Sequence, residues 1–233
     1  MGKKAAIFDF GGVISKTMFE THHLTEMALG LESGTLKWLG PFDIKNDQLW
    51  ASMQLGDISE RDYWFIRTKE VAKLIDADWS QMSDFVKAAR GANPTSIIRP
   101  EFLNTLTHLK SKEIRLAILS NELDLFYGPE FRQKLQFLDE FDVICDATYT
   151  DILKPDPRAY YDCLERLNLK IEDCIFVDDQ RKNINGAEDI GLSCVQFDVL
   201  NPSGSYKKVI AVSYTHLRAH ETDSYLVCRL LLE

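Results

Sequence analysis

The chain has 233 residues, of which 45% are hydrophobic and 27% charged, so it can bury a full core in one domain, or in one domain with an insertion. Its 36 acidic and 27 basic residues give a net charge of −9 without any lysine or arginine block, which argues against nucleic acid and anionic membranes as partners. No apolar run is long enough to cross a membrane and no signal peptide is visible, so we expect a cytoplasmic protein. We also expect reduced, buried thiols at Cys145, Cys163, Cys174 and Cys194.

The last residues differ in character from those before them. Residues 212–222 and 226–233 resemble a translated sequencing adapter on either side of a short barcode. We therefore predict that the chain from about residue 211 onward is not native, and we leave it out of the fold. The alternative is a genuine amphipathic helix at the C-terminus.

The first predicted strand is the apolar run over residues 5–8, which is followed by Asp9 and by the glycines Gly11 and Gly12. An apolar run closed by a carboxylate and a glycine pair is typical of a buried strand that emerges at the carboxyl edge of an open α/β sheet. A carboxylate there is unfavourable unless water, a basic partner or a metal ion compensates its charge. Asp9 is therefore the first candidate site residue.

Residues 15–93 show helical periodicity and no strand pattern. Because both flanks alternate strands with helices, we predict a helical insertion, a cap, within a core formed by residues 1–14 and 94–210. The predicted helices of this region cover 21–29, 47–55, 60–74 and 78–90. Four tryptophans either line a substrate pocket or belong to a helical core: Trp38, Trp50, Trp64 and Trp79.

From residue 98 the chain returns to alternating strands and helices, and polar residues follow two of the strands. Ser120 and Asn121 come after the predicted strand 114–119, and Asp178 and Asp179 end another that begins at residue 174. Lys154 lies in a loop that two prolines stiffen. The other predicted strands cover 141–145 and 193–197, and the predicted helices cover 100–109, 131–138, 158–167 and 181–190.

Four motifs, taken in order, resemble those of the haloacid dehalogenase-like hydrolase superfamily. They are DFGGV at Asp9, LSN at Ser120, LKPDP at Lys154 and VDDQRKN at Asp178. The resemblance covers residues 4 to about 197, and the insertion lies where the glucose-1-phosphatase-like members and the phosphatase domain of soluble epoxide hydrolase carry a helical cap. It implies an α/β fold with a Rossmann-like parallel sheet, helices on both faces and an inserted all-α cap.

The resemblance also implies a Mg²⁺-dependent phosphatase that acts on a small phosphorylated metabolite through an aspartyl-phosphate. Asp9 would be the nucleophile, and Lys154 would pair with Asp9 and with the phosphoryl charge. The Mg²⁺ ligands would be Asp9, Asp179 and the backbone carbonyl of Gly11, with Asp178 in the outer sphere. The remaining roles concern phosphate binding and support of the acidic loop: Gly12, Ser120 and Asn121 would contact phosphoryl oxygens, and Asn183 would steady the loop.

One position departs from the family pattern. Phosphatases of the family usually carry a second aspartate two residues after the nucleophile as general acid and base, and this chain has Gly11 there. A positioned acid or base contributes about 10²- to 10⁴-fold, so the protein is slow or recruits a substitute. The candidate substitutes are Glu122, His22 and His23.

Two other functions stay open. The first is a metal-independent 2-haloacid dehalogenase, although the paired acids Asp178 and Asp179 suit a cation better. The second is a non-catalytic relative that binds a phosphorylated ligand or a protein partner, which Gly11 alone supports. Retention of Asp9 and Lys154 favours chemistry over binding alone.

Overall fold

The computed structural model describes residues 2–90 and 93–214, which divide into two compact units. The first unit contains residues 2–14, Arg99–Asn121 and residues 139–214. The second contains Ser15–Ile98 and Glu122–Leu138. Among the described residues, no helix combines the length and the apolar character needed to cross a membrane.

The described part of the first unit is built on a five-stranded sheet in which all neighbouring strands are parallel. The strands are β1 (Ala5–Phe8), β2 (Arg115–Ser120), β3 (Val143–Asp146), β4 (Cys174–Asp178) and β5 (Ser193–Gln196). Their order across the sheet is β3-β2-β1-β4-β5, with β1 at the centre. The chain therefore turns to opposite sides of β1, and the crevice at such a switch point is where open α/β sheets bind ligands.

Helices connect the strands of the first unit and form most of the second. Numbered along the described part of the chain, they are α1 (His22–Ala28), α2 (Gln48–Leu55), α3 (Glu60–Leu74), α4 (Met82–Arg90), α5 (Pro100–Lys110), α6 (Leu123–Tyr127), α7 (Pro129–Arg132), α8 (Pro157–Leu167), α9 (Arg181–Asp189) and α10 (Pro202–Tyr214). Short 3-10 turns lie at Phe19–Thr21, Gly40–Phe42, Ile44–Asn46, Pro94–Ile97, Gln136–Glu140 and Ile171–Asp173.

Helices cover both faces of the sheet. Ile7 belongs to a buried cluster that contains Tyr160 of α8 and Ile184 of α9. Successive strand residues point to opposite faces, and the neighbouring ring of Phe8 packs edge-on against Phe102 of α5, with 5.4 Å between ring centroids. The predicted α/β class with a Rossmann-like parallel sheet is confirmed.

The second unit is helical, apart from an antiparallel bridge between Ser15 and Ile98, where the chain enters and leaves it. A capping box begins α3, since the side chains of Ser59 and Asp62 each accept from the other's backbone N–H. The core of the second unit is aromatic, and three of the four tryptophans are buried in it. The rings of this core are Phe19, Trp38, Trp50, Tyr63, Trp64, Phe85 and Phe126.

The stretch between β2 and β3 differs from the sequence prediction. In place of one helix over 131–138, α7 ends at Arg132 and a 3-10 turn follows from Gln136, while Gly128 with φ +81° separates α7 from α6. The ring of Phe126 in α6 packs on Trp64 at 5.3 Å, so Glu122–Leu138 groups with the helical unit. The predicted core and cap boundaries differ from this division at 94–98 and 122–138.

Helix α4 begins at Met82, four residues later than predicted. The ammonium group of Lys69 donates to the carbonyl of Trp79 at 2.5 Å, and the Asp84 carboxylate accepts from the N–H of Gln81 at 3.0 Å. These bonds hold the preceding chain outside the helix.

Most of the predicted adapter-derived tail, residues 215–233, lies outside the described residues. Residues 211–214 form the last turn of α10, where the carbonyl of Ser213 accepts from the N–H of Lys3 at 3.0 Å. The origin of the tail stays a prediction.

Candidate active site

Three carboxylates meet at the carboxyl edge of the sheet. Asp9 follows β1, and Asp178 ends the adjacent strand β4, where Phe8 and Val177 are partners in register. The N–H of Asp9 donates to the carbonyl of Val177 at 2.9 Å, which extends the ladder to the site. One carboxylate oxygen each from Asp9, Asp178 and Asp179 lies within 4.8 Å of the others.

Lys154 supplies the positive charge between these acids. Its Nζ lies 2.8 Å from Asp9 Oδ1 and 2.7 Å from Asp178 Oδ2, and its side chain is 1% exposed. Burial alone would lower the pKa of Lys154, but the carboxylates of Asp178 and Asp9 outweigh it and raise that pKa well above the usual lysine value. Three carboxylates and one ammonium group leave the cluster with a formal charge of −2.

The backbone of Lys154 is fixed from two sides. The side chain of Asn121 accepts from the N–H of Lys154 at 2.7 Å and donates to its carbonyl at 3.0 Å. On the other side, a Cβ added to Gly186 of α9 would lie only 2.8 Å from the carbonyl oxygen of Pro155. Asn121, directly after β2, thus holds Lys154, and α9 packs closely on Pro155, to which the lysine is joined by a cis peptide bond.

Asp178 is fully buried, and its carboxylate is surrounded by donors. Besides Lys154, it accepts from the N–H of Gln180 at 2.7 Å and from Asn183 Nδ2 at 3.0 and 3.2 Å. Asn183 is held in turn through its carbonyl, which accepts from the hydroxyl of Tyr160 at 2.7 Å. Asp9 and Asp179 are partly exposed, so they are the acids of the cluster that an incoming group can reach.

The two glycines after Asp9 have different roles. Gly12 has φ +76°, and a Cβ built on it would lie 2.6 Å from Asp179 Oδ2, so only glycine leaves room for that carboxylate. The carbonyl of Gly12 accepts from Arg99 Nε at 3.0 Å. The carbonyl of Val13 accepts from the hydroxyl of Tyr206 at 2.5 Å. Gly11 has φ −68° and ψ 130°, which any residue adopts.

The structure places Ser120 and Asn121 at the same edge, at the end of β2. Ser120 is buried and pairs in register with Asp146 of β3. The side chain of Asn121 binds the backbone of Lys154 through both its oxygen and its nitrogen. The predicted contact of Asn121 with phosphate would therefore need another N–H of this residue. Phosphate binding by either residue stays a prediction.

The three candidate replacements for the missing acid and base belong to the second unit. Glu122 accepts from Arg61 Nε at 3.2 Å in an ion pair. His22 packs edge-on against the rings of Phe19 and Trp38, and burial lowers the pKa of His22. The third candidate, His23, is exposed.

Sequence reasoning missed three residues that hold the site. Arg99 and Tyr206 bind the carbonyls that follow Gly11, and Gln196 Nε2 donates to the carbonyl of Asp179 at 2.6 Å. Two signals were available. Arg99 stands at the N-terminus of α5, where a cation opposes the helix dipole, and Gln196 interrupts the mostly apolar last strand.

We expect Lys154→Met to lower the free energy of unfolding by about 3–5 kcal/mol, because it leaves the buried carboxylate of Asp178 without its cation. Urea denaturation measures this loss. The control is Lys154→Met combined with Asp178→Asn, which removes both charges and should restore most of the stability. Equal instability of the double variant would assign the loss to packing of the lysine side chain instead of charge.

A parallel sheet with three acids and a buried lysine at its carboxyl edge places the protein among hydrolases of the α/β class. The pattern of the haloacid dehalogenase-like hydrolases matches residues 3–191, and the chain belongs to this family.

Its sequence identity to individual relatives and solved structures ranges from 21% to 40% in the following comparisons. Over 206 residues it is 40% identical to the plasmid CbbY protein of Cupriavidus necator, covering 82% of this chain and 77% of that protein. It is 27% identical to the sesquiterpene phosphatase astK of Aspergillus oryzae, covering 81% and 87%. The matched segment spans about 10% of mouse acyl-CoA dehydrogenase family member 10, at 30% identity over 48% of this chain. The L-2-haloacid dehalogenase of Xanthobacter autotrophicus shares the fold, with a TM-score of 0.55, 21% identity and coverage of 84% and 77%.

Proposed function

We propose that the protein is a Mg²⁺-dependent phosphohydrolase that cleaves a small phosphorylated metabolite through an aspartyl-phosphate on Asp9. The observation that carries the proposal is the composition of the cluster. Three carboxylates offer oxygen ligands within 4.8 Å of one another, and one lysine leaves a formal charge of −2. A phosphate dianion would be repelled by this cluster unless a divalent cation were present. The name of the Aspergillus relative, a phosphatase, supports the same reaction class.

The donor set fits Mg²⁺, which prefers oxygen ligands and is usually held by few protein carboxylates. Asp9, Asp179 and the backbone carbonyl of Gly11 would hold the ion, and Asp178 would act from the outer sphere. When bound, Mg²⁺ would neutralise charge on the transferring phosphoryl group. The bonds that Asp178 accepts from Lys154, Gln180 and Asn183 favour this division of roles, because they occupy its carboxylate.

In the first half of the reaction, a carboxylate oxygen of Asp9 forms a bond to phosphorus while the bond from phosphorus to the leaving oxygen breaks. Lys154 orients the Asp9 carboxylate through its 2.8 Å bond to Oδ1. Its charge offsets that of the phosphoryl group. Ser120, Asn121 and the N–H of Gly12 would bind phosphoryl oxygens. The leaving oxygen must also take up a proton.

In the second half, water attacks the phosphorus of the acyl phosphate, inorganic phosphate leaves, and the Asp9 carboxylate is regenerated. The attacking water must lose a proton. Gly11 offers no side chain for either proton transfer, so substrates with a leaving group of low pKa, such as acyl or anomeric phosphates, should be cleaved most readily.

We expect phosphate release from a panel of sugar, acyl and nucleotide phosphates to require Mg²⁺, to fall to background with excess chelator and to return when Mg²⁺ is restored. The measurement is inorganic phosphate over time with the full chain. Halide release from 2-haloacids that chelator leaves unchanged would contradict the proposal and favour a dehalogenase. Folded protein that binds Mg²⁺ but turns over none of the panel would favour the binding role.

A further inference from the structure

One side chain of the edge strand β5, that of Gln196, binds the backbone of Asp179, the residue that follows β4. Strand β5 pairs with β4 so that Gln196 stands opposite Asp178. The N–H of Phe197 donates to the carbonyl of Asp178 at 2.9 Å, which is the last backbone bond of that ladder. One residue further on, Gln196 Nε2 donates to the carbonyl of Asp179 at 2.6 Å. The side chain thus continues the ladder beyond the point where the backbone ends it.

This bond fixes one particular peptide unit. The carbonyl of Asp179 and the N–H of Gln180 belong to the same planar peptide. Gln196 binds the carbonyl at one end, and the carboxylate of Asp178 accepts the N–H at the other, at 2.7 Å. A peptide plane held at both ends cannot rotate, so the backbone of Asp179 is fixed on its C-terminal side.

The position of the Asp179 carboxylate depends on that backbone. The carboxylate lies so close to Gly12 that a Cβ there would be 2.6 Å from Oδ2. A displacement of this backbone would move the carboxylate relative to Asp9, its neighbour in the cluster. Fixing the peptide therefore fixes a candidate ligand.

The amide of Gln196 also carries a cost in stability. Its Oε1 is buried and has no hydrogen-bond donor among residues 2–90 and 93–214. A buried acceptor without a donor lowers stability, because its lost hydration is not replaced. A methionine of similar length would fill the space without that acceptor, so the N–H that Gln196 donates is what distinguishes it from a better-packed apolar residue.

We infer that Gln196 is a positioning residue that fixes the peptide after Asp179 and thereby holds the Asp179 carboxylate ready for a divalent cation. The inference rests on the proposed Mg²⁺ site. It assigns a role in cation binding to a side chain that does not itself belong to the cluster. Partners of this kind typically change metal affinity by about 10- to 100-fold when they are removed.

The test compares Gln196→Met with the native chain by calorimetric titration of Mg²⁺, by urea denaturation without metal and by hydrogen exchange of the Gln180 amide. We expect Mg²⁺ binding to weaken by about 10- to 100-fold, the Gln180 amide to exchange faster, and the stability of the metal-free protein to stay equal or rise. Gln196→Leu serves in the same way if the methionine variant does not fold. The matched control is Ser193→Ala at the other end of β5, where Ser193 Oγ accepts from Lys3 Nζ at 2.7 Å, and its Mg²⁺ affinity should not change.

Unchanged Mg²⁺ affinity in Gln196→Met, or an equal loss in Ser193→Ala, would overturn the inference. A native chain that binds no Mg²⁺ would instead overturn the proposed metal site. In that case the exchange of the Gln180 amide still decides whether Gln196 fixes the peptide: faster exchange supports that part, and unchanged exchange overturns it.

Discussion

Asp9→Asn should abolish phosphate release, by a factor on the order of 10⁶, which is the scale of loss when a hydrolase loses its nucleophile. Asparagine keeps the size of the side chain, but a neutral amide oxygen does not form the bond to phosphorus. Lys154 retains Asp178 at 2.7 Å, so its buried charge stays paired and the fold should persist. Initial rates with saturating Mg²⁺ measure the loss, and thermal unfolding checks the fold.

The matched control is Asp146→Asn, at the carboxyl end of β3, which β2 separates from β1. Asp146 is buried, and its Oδ1 accepts from the N–H of Thr148 at 3.0 Å, a bond that asparagine can keep. We expect this variant to retain activity. Turnover that survives Asp9→Asn, at a rate above that of a mock purification, would show that Asp9 is not the nucleophile.

The sheet and its acidic edge could be predicted because they depend on local patterns. A buried run ending in Asp9 and another ending in Asp178 are visible in the sequence. In a parallel sheet the carboxyl ends of adjacent strands meet at one edge, so the two acids had to be close once β1 and β4 paired. The charge of Lys154 was the missing compensation, and the structure places it between them.

The supporting contacts could not be predicted, because they join residues that are distant in sequence and depend on how the helices pack. Arg99 reaches the carbonyl of Gly12 across 87 positions, and Asn121 reaches the backbone of Lys154 across 33. A hydrogen-bonding side chain at a strand end fits a ligand or a loop equally well from sequence alone. The structure resolves this ambiguity for Asn121, whose side chain binds the lysine loop.

Packing also decided the assignment of residues 122–138. Their sequence follows β2 directly, and contiguity suggested that they belong to the sheet unit. The ring of Phe126 instead joins the aromatic core of the helical unit beside Trp64. Burial of the aromatic ring decides which unit this segment packs with, and its position in the sequence does not. The sequence around Phe126 does not indicate which rings it will contact.

Gly11→Asp should raise the turnover of substrates with poor leaving groups by about 10²- to 10⁴-fold, the usual contribution of a positioned acid or base. The backbone admits the change, since Gly11 has φ −68° and ψ 130° and is exposed. A Cβ there would lie 4.0 Å from Asp9 Oδ2, which is ordinary contact. The nearby carboxylates would raise the pKa of the new acid, which suits it to carry a proton near neutral pH.

The dependence on the leaving group separates proton transfer from a general improvement of the site. Gly11→Asn has the same shape without the titratable group, so the ratio of the two rates isolates the proton. Measured as release of the leaving group in a single turnover, this ratio should be large for alkyl phosphates and close to one for acyl phosphates, whose leaving oxygen needs no proton. A ratio near one across the whole series would mean that this chain already moves the proton by another group. That group would lie outside the segment that follows Asp9, and Gly11 would not limit the reaction.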